Sequence, residues 1–493
     1  MKFGHHLHTL HIHLTVSEHK FDNIRLIMKI VLRVLVLLLS AVLIFTSCKK
    51  EKESLFISIP DDNFLNALID LGVDTNGDGI ISRDEAEVIT TLDVPDKKIT
   101  EMTGIEAFIN LDTLRCMNNQ LTNLDVSNNN ALTWLECWDN KLTSLDLSNN
   151  TVLKYLDCSW NQLSSLNVSN IESITNLYCR DNQLTSLNIS DNSALIDLDC
   201  SNNQLISLDV FDNVFLQELY CSTNQLIALD VSDNSVLIDL DCSNNQLTSL
   251  NISDNANLEF LDCLNNQLNN LDVTNNNELT VLFCDDNQLA NLNVSNNIVL
   301  QTLYCSGNKL AILDVSNNSA IEDLICSDNQ LVSLDVSNNS ELKWLALGEN
   351  QFTSLDVTNN SVLEGLQCDS NQFTSLDVSN NHALWLLHCT RNQLTTLDVT
   401  NNHVLEWLNL GENRLTSLNV KSNFVLEQLD CHENLLNSLD ISNNTVLQSL
   451  YLNDMPSLHK VCVWEMPFPP DGLDIDTANS PNIYFTTDCT DGV

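Results

Sequence analysis

The chain has 493 residues, 43% of them apolar, and its 66 acidic against 21 basic residues give a formal net charge of −45. So acidic a surface repels phosphate backbones, which sets nucleic acid aside and leaves cations, basic protein patches or neutral glycans as partners. Of its 17 cysteines most fall on one strict spacing, so they report packing before they report a disulfide framework.

Residues 1–27 carry His5, His6, His8, His11, His13 and His19, a metal-binding composition in principle. A complete export signal follows them, so the simpler reading is a start set too early, with Met28 the initiator. From Met28 the order is basic residues (Lys29, Arg33), an apolar run Val34–Phe45, then Thr46 and Ser47 before a lone Cys48. The run is too short to span a bilayer and has the order of a secretory signal. Residues 28–47 therefore read as a lipoprotein signal peptide that leaves Cys48 as a lipidated first residue, with 48–58 a tether.

Residues 59–110 form an N-terminal cap. Asp61–Val73 places Phe64, Leu65, Leu68 and Leu71 at helical spacing. Asp74–Glu85 then matches the EF-hand loop at each diagnostic position. Asp74, Asn76 and Asp78 supply side-chain oxygens, Ile80 a backbone carbonyl, Ser82 a direct or water-borne contact, and Glu85 a bidentate closure. The expected cofactor is one structural calcium ion. A second helix is expected over Ser82–Ile89, and Ile99–Leu111 reads as the first, most ordinary repeat.

Residues 111–453 repeat LxxLxCxxNQLTSLDVSNNxx with a 21-residue period. From Cys116 every twenty-first residue is Cys, except Leu347, Leu410 and Leu452. This is the signature of a leucine-rich-repeat solenoid: β-rich, with short parallel strands and two arcs per turn. A column that accepts Leu wants a buried apolar group, not a metal ligand. Each half places an apolar pair before an Asn, so each is expected to form a strand, with the Asn amide tying adjacent turns. Without Pro between Pro95 and Pro456, sixteen to seventeen turns would make a rod of about 80 Å. Residues 454–493 form a C-terminal cap in which Cys462 and Cys489 are placed to bridge.

The nested repeat resembles a bacterial subclass of leucine-rich repeats with alternating Cys and Asp-Leu halves. Together with Ile59-Pro60-Asp61, the loop Asp74–Glu85 and the ending Val461–Cys489, the chain from residue 28 onward resembles leucine-rich-repeat lipoproteins of Bacteroidota. The better-known relatives are internalin-like adhesins. The resemblance implies an exported binding protein of the outer membrane, at the cell surface or facing the periplasm, and a monomeric rod.

Two outward faces compete for function. On the second arc the residue between Leu and Val is Asp at eleven stations and Asn at five, which fits a solvated hydrogen-bonding row better than a calcium ladder. On the first arc the outward positions vary and are rich in aromatics: Trp134, Trp138, Tyr155, Tyr178, Tyr220, Phe260, Phe283, Tyr304, Trp344, Trp385 and Trp407. Exposed aromatics mark binding surfaces, so these are the ligand-binding candidates, for a protein or a glycan. No catalytic constellation is apparent. His382, His388, His403, His432 and His459 are scattered, with no nucleophile motif beside them. The reading is a lipid-anchored binding and adhesion protein, not an enzyme.

Overall fold

A computed structural model describes residues 56–169 and 171–489, with Met28 and Val31 of the leader. Cys48 and the rest of the leader and tether lie outside the described residues. Among the described residues no helix is long and apolar enough to cross a membrane.

The chain winds as a solenoid. Its first-arc strands are three residues long and pair in parallel, in register, each with the next turn. They form one 19-stranded sheet, running from Thr91–Asp93 at one end to Asp474–Asp476 at the other. The ladder thus exceeds the sixteen to seventeen turns expected, extending one turn into each cap. At ~4.8 Å per strand the rod is about 90 Å long. The extra turns were hidden because Thr91–Asp93 lies 22 residues before Thr113–Arg115, and Asp474–Asp476 lies 25 after Ser449–Tyr451.

The central Leu of each first-arc strand from Thr91–Asp93 to Ser449–Tyr451 points inward and is fully buried, as are the Cys residues of the repeat column. The fourteen cysteines of that column are free thiols. Burial pushes the thiols of Cys116 and Cys326 up to about 12, so these pack as neutral, apolar groups. Leu347, Leu410 and Leu452 occupy the same interior at 0% exposure.

The two Asn columns connect the turns differently. In the first, Asn140 Oδ1 accepts from the Leu121 amide of the preceding turn (2.9 Å), and Nδ2 donates to the carbonyls of Cys116 and Cys137. In the second, Asn150 Nδ2 donates to the carbonyls of Val126 and Asn129, while its buried Oδ1 has no partner. The first column's amides thus bond their own and the preceding turn, the second's the preceding turn alone.

The second arc does not form the strands expected of it. It makes isolated parallel bridges, such as Asp125↔Asp146 and Asp230↔Asn251, and a proper strand only at Ser438–Asp440. Its outward carboxylate takes the amide two residues on (Ser127 N to Asp125 Oδ1, 3.0 Å), and the Asn129 amide turns back to the Val126 carbonyl; the same bonds recur at Ser442 and Asn444 beside the strand Ser438–Asp440.

Helix α1 (Asp62–Asp70) begins at Asp61, whose Oδ1 caps the Phe64 amide. Asp61 Oδ2 also accepts from the Thr100 amide and hydroxyl, which docks the cap on the first turn. Phe64 and Leu68 cover the end of the core. At the other end Cys462 and Cys489 are joined, and Lys460–Cys462 pairs with both Ser438–Asp440 and Tyr484–Thr486.

Candidate functional site

In each first-arc strand the first and third residues point outward, so in-register pairing sets them in two continuous columns. Rings in these columns meet as three clusters. Trp134 and Tyr155 stack with centroids 3.7 Å apart and planes 1° from parallel, and Tyr178 follows at 5.4 Å. Phe260, Phe283 and Tyr304 form the second, at 5.8 and 4.8 Å. Trp344, Trp385 and Trp407 form the third, at 6.0 and 5.9 Å.

The third cluster is not the simple column anticipated. Trp385 is not a strand residue: the strand is Leu386–His388, and Trp385 sits one place before it. It still reaches Trp344 because the turn between them carries Gly365 at the strand position. A Cβ at Gly365 would lie 2.2 Å from the Trp344 ring, so the indole lies flat across the glycine. Trp138 likewise stands off the strand row, past Cys137, while Tyr220 lies on it between carboxylates.

Charge is woven into the rings. Trp134 Nε1 donates to Glu136, which Arg115 Nε also meets at 3.3 Å, with the guanidinium 5.8 Å from the Trp134 ring centroid. Burial raises the carboxyl of Asp262 to about 6, with Asp241 and Asp285 adding repulsion. On the second arc the opposite holds. Hydrogen bonds from Ser337 hold Asp335 below the usual range, and Thr358 does the same for Asp356. Those carboxylates are satisfied as local caps, which explains why Asn substitutes for Asp there.

Two features escaped the sequence reading. Trp160 is 52% exposed at φ 54°, in a column of left-handed residues held mostly by Asn, Asp and Glu, with Arg180 5.9 Å from its ring centroid. A bulky side chain at positive φ is strained, and comparison down that column reveals it. Ile206, Phe211, Phe215 and Ile227 are each at least 60% exposed on neighbouring turns, where most other turns carry small or polar residues.

The loop Asp74–Glu85 folds around its own carboxylates. Asp74 accepts from the Gly77, Asp78 and Gly79 amides, Asn76 from Asp78, and Asp78 from Ile80. Gly79 has φ 78°, the left-handed geometry this bend requires. Glu85 receives the Thr75 amide and hydroxyl on one oxygen and those of Ser82 on the other. The Ser82 bonds lead in holding its carboxyl down to about 2. Ser82 also caps helix α2 (Arg83–Glu87), shorter than the expected Ser82–Ile89. The Ile57 amide bonds the Ile81 carbonyl, and Phe56 bridges Ser82, so an N-terminal segment flanks this loop where paired loops flank each other. The donors are all oxygen, the set a hard cation takes.

No protein-family model matches the chain, and no curated protein does. Among solved structures it is similar to the functional domain of InlJ from Listeria monocytogenes, described as including a cysteine ladder. The identity is 35% with a TM-score of 0.66, over 71% of this chain and 79% of that one. A leucine-rich-repeat protein of Leptospira interrogans matches at 25% identity and TM-score 0.60, over 71% and 92% of the two chains. YopM from Yersinia enterocolitica shares the fold at 23% identity and TM-score 0.63, over 81% and 92%. With its 21-residue solenoid and buried cysteine column, the chain belongs to the internalin-like leucine-rich-repeat proteins.

Proposed function

We propose that this is an exported, lipid-anchored binding protein that captures a protein ligand on the first-arc face, and that Asp74–Glu85 holds one structural calcium ion. The observation that carries the ligand reading is the meeting of outward rings in three clusters. Their positions vary from turn to turn while the core columns do not. Aromatics packed on one another lose little rotamer freedom on binding, and Trp and Tyr dominate interface hot spots. Export and anchoring rest on the leader ending at Cys48. The fold supplies rigidity, and no residue set in it is assigned chemistry.

The test is capture of ligand by residues 54–493 from secreted or surface proteins, alongside a glycan array, repeated with Trp344, Trp385 and Trp407 all changed to Ala. Capture of a protein is expected to fall by more than about 30-fold in the triple variant. Unchanged capture would move the site off this face, and array binding without protein capture would make the ligand a glycan.

For calcium, Asp74, Asn76, Asp78, Ile80, Ser82 and Glu85 are the coordinating residues. Loading requires the Thr75 and Ser82 hydroxyls to turn away from Glu85, freeing its oxygens. Terbium luminescence or calorimetry is expected to show one site that Asp78→Ala abolishes. No binding at millimolar calcium would refute it.

A further inference from the structure

Between the first and second ring clusters the outward face is a trough of carboxylates. Asp197 and Asp199 stand on one strand, Glu218 on the next, Asp239 and Asp241 on the third and Asp262 on the fourth. Register pairing puts Asp197, Glu218 and Asp239 in one column and Asp241 beside Asp262 in the other. Like charges directly opposite on neighbouring strands destabilise a sheet. Cations are sparse beside them: between Arg180 and Lys309 the sequence has no Lys, Arg or His, and Asp199 and Asp241 are held by Ser201 and Ser243 instead. Arg180 at the rim reaches Asp199 at 3.8 Å.

A second observation is independent of the charge count. Asp197 is only 8% exposed; its carboxylate is held by the neutral Tyr178 hydroxyl and Asn176 amide, and among the described residues no cation pairs with it. A buried carboxylate without a cationic partner is costly. The Tyr220 hydroxyl lies 3.5 Å from Glu218 and 3.4 Å from Asp239, lining the trough with an aromatic wall. Burial also raises the carboxyls of Asp197, Asp199 and Glu218.

The cation that fits is extended. The trough's carboxylates are strung along about 15 Å of sheet, at ~4.8 Å per strand, beside phenol rings. Arg and Lys side chains presented by an extended or helical protein segment match that spacing, and guanidinium also pairs with aromatic faces. We propose that this trough seats the basic side chains of the protein ligand, giving the first-arc face its charge specificity. The proposal rests on the first arc being the ligand face.

The test uses an acetylated, fluorescently labelled octapeptide alternating Arg and Ser, with binding followed by anisotropy on residues 54–493. A trough variant carries Asp197→Asn, Glu218→Gln, Asp239→Asn and Asp241→Asn. A control of equal charge change carries Asp230→Asn, Asp314→Asn, Asp335→Asn and Asp356→Asn on the second arc. The trough variant is expected to lose about tenfold or more in affinity and the control less than about threefold, with both folded by circular dichroism. Equal losses would mean the peptide reads net charge alone, which overturns the proposal. So would millimolar calcium displacing the peptide from a chain carrying Asp78→Ala, because the trough would then be a cation site. The variant lacking Trp344, Trp385 and Trp407 is expected to keep peptide binding. Failure of the tryptophan test and failure of the trough are therefore separate results.

Discussion

Asn266→Ala is expected to lower the unfolding free energy by about 3–5 kcal/mol, whereas Asn255→Ala, on the preceding repeat, costs about 1–2 kcal/mol. Asn266 Oδ1 accepts from the Leu247 amide at 2.9 Å, and Nδ2 donates to the carbonyls of Cys242, Cys263 and Leu264. Removing it leaves a buried N–H with no acceptor and strips donors from three carbonyls. Asn255 only donates, to the carbonyls of Val231 and Asn234, and its Oδ1 is already unpartnered. Its loss leaves acceptors short rather than orphaning a donor, the milder defect. The protein performs this experiment itself at Ile171, which replaces the second-column Asn and is fully buried. Guanidinium titration gives the energies, and native-state hydrogen exchange at the Leu247 amide locates the defect, because turns in a solenoid destabilise locally. Equal costs for the two substitutions would contradict this account of the ladders.

Gly365→Val is expected to reduce ligand capture as far as Trp344→Ala does, about 30-fold, while shifting stability by no more than about 1 kcal/mol. The backbone at Gly365 needs no left-handed conformation, and valine suits a strand, so the scaffold tolerates it. The new side chain takes the space occupied by the Trp344 ring, which must swing away from Trp385. A change in tryptophan emission would report the displacement independently of any ligand. Altered emission with unchanged capture would show that the cluster is a packing feature and not the recognition surface.

The core was legible residue by residue. Cys116 and its successors occupy one inward column because a stack of identical turns gives every twenty-first side chain the same surroundings, and Leu347 declares those surroundings apolar. The loop at Asp74–Glu85 was legible for another reason: its contacts span only a dozen residues, so spacing alone defines them. The second arc misled, because Leu-Asp-Val alternates like a strand yet pairs mostly through isolated bridges. Trp385 misled by one position. Counting rings from Trp344 put it on the strand row, but 42 residues on from Trp344 stands Leu386. The end turns were missed because Thr91–Asp93 and Asp474–Asp476 join the sheet outside the period.

By itself the sequence determined the solenoid and its inward columns, since each follows from a chemical requirement repeated at fixed spacing. The tertiary structure alone decided which outward residues act together. Trp344 meets Trp385 by crossing Gly365 on the intervening turn. Asp197 is buried against Tyr178 of the preceding turn, whose hydroxyl it accepts. Such contacts depend on which rotamers neighbouring turns leave open, and a period that specifies every turn alike carries no information about the places where two turns differ.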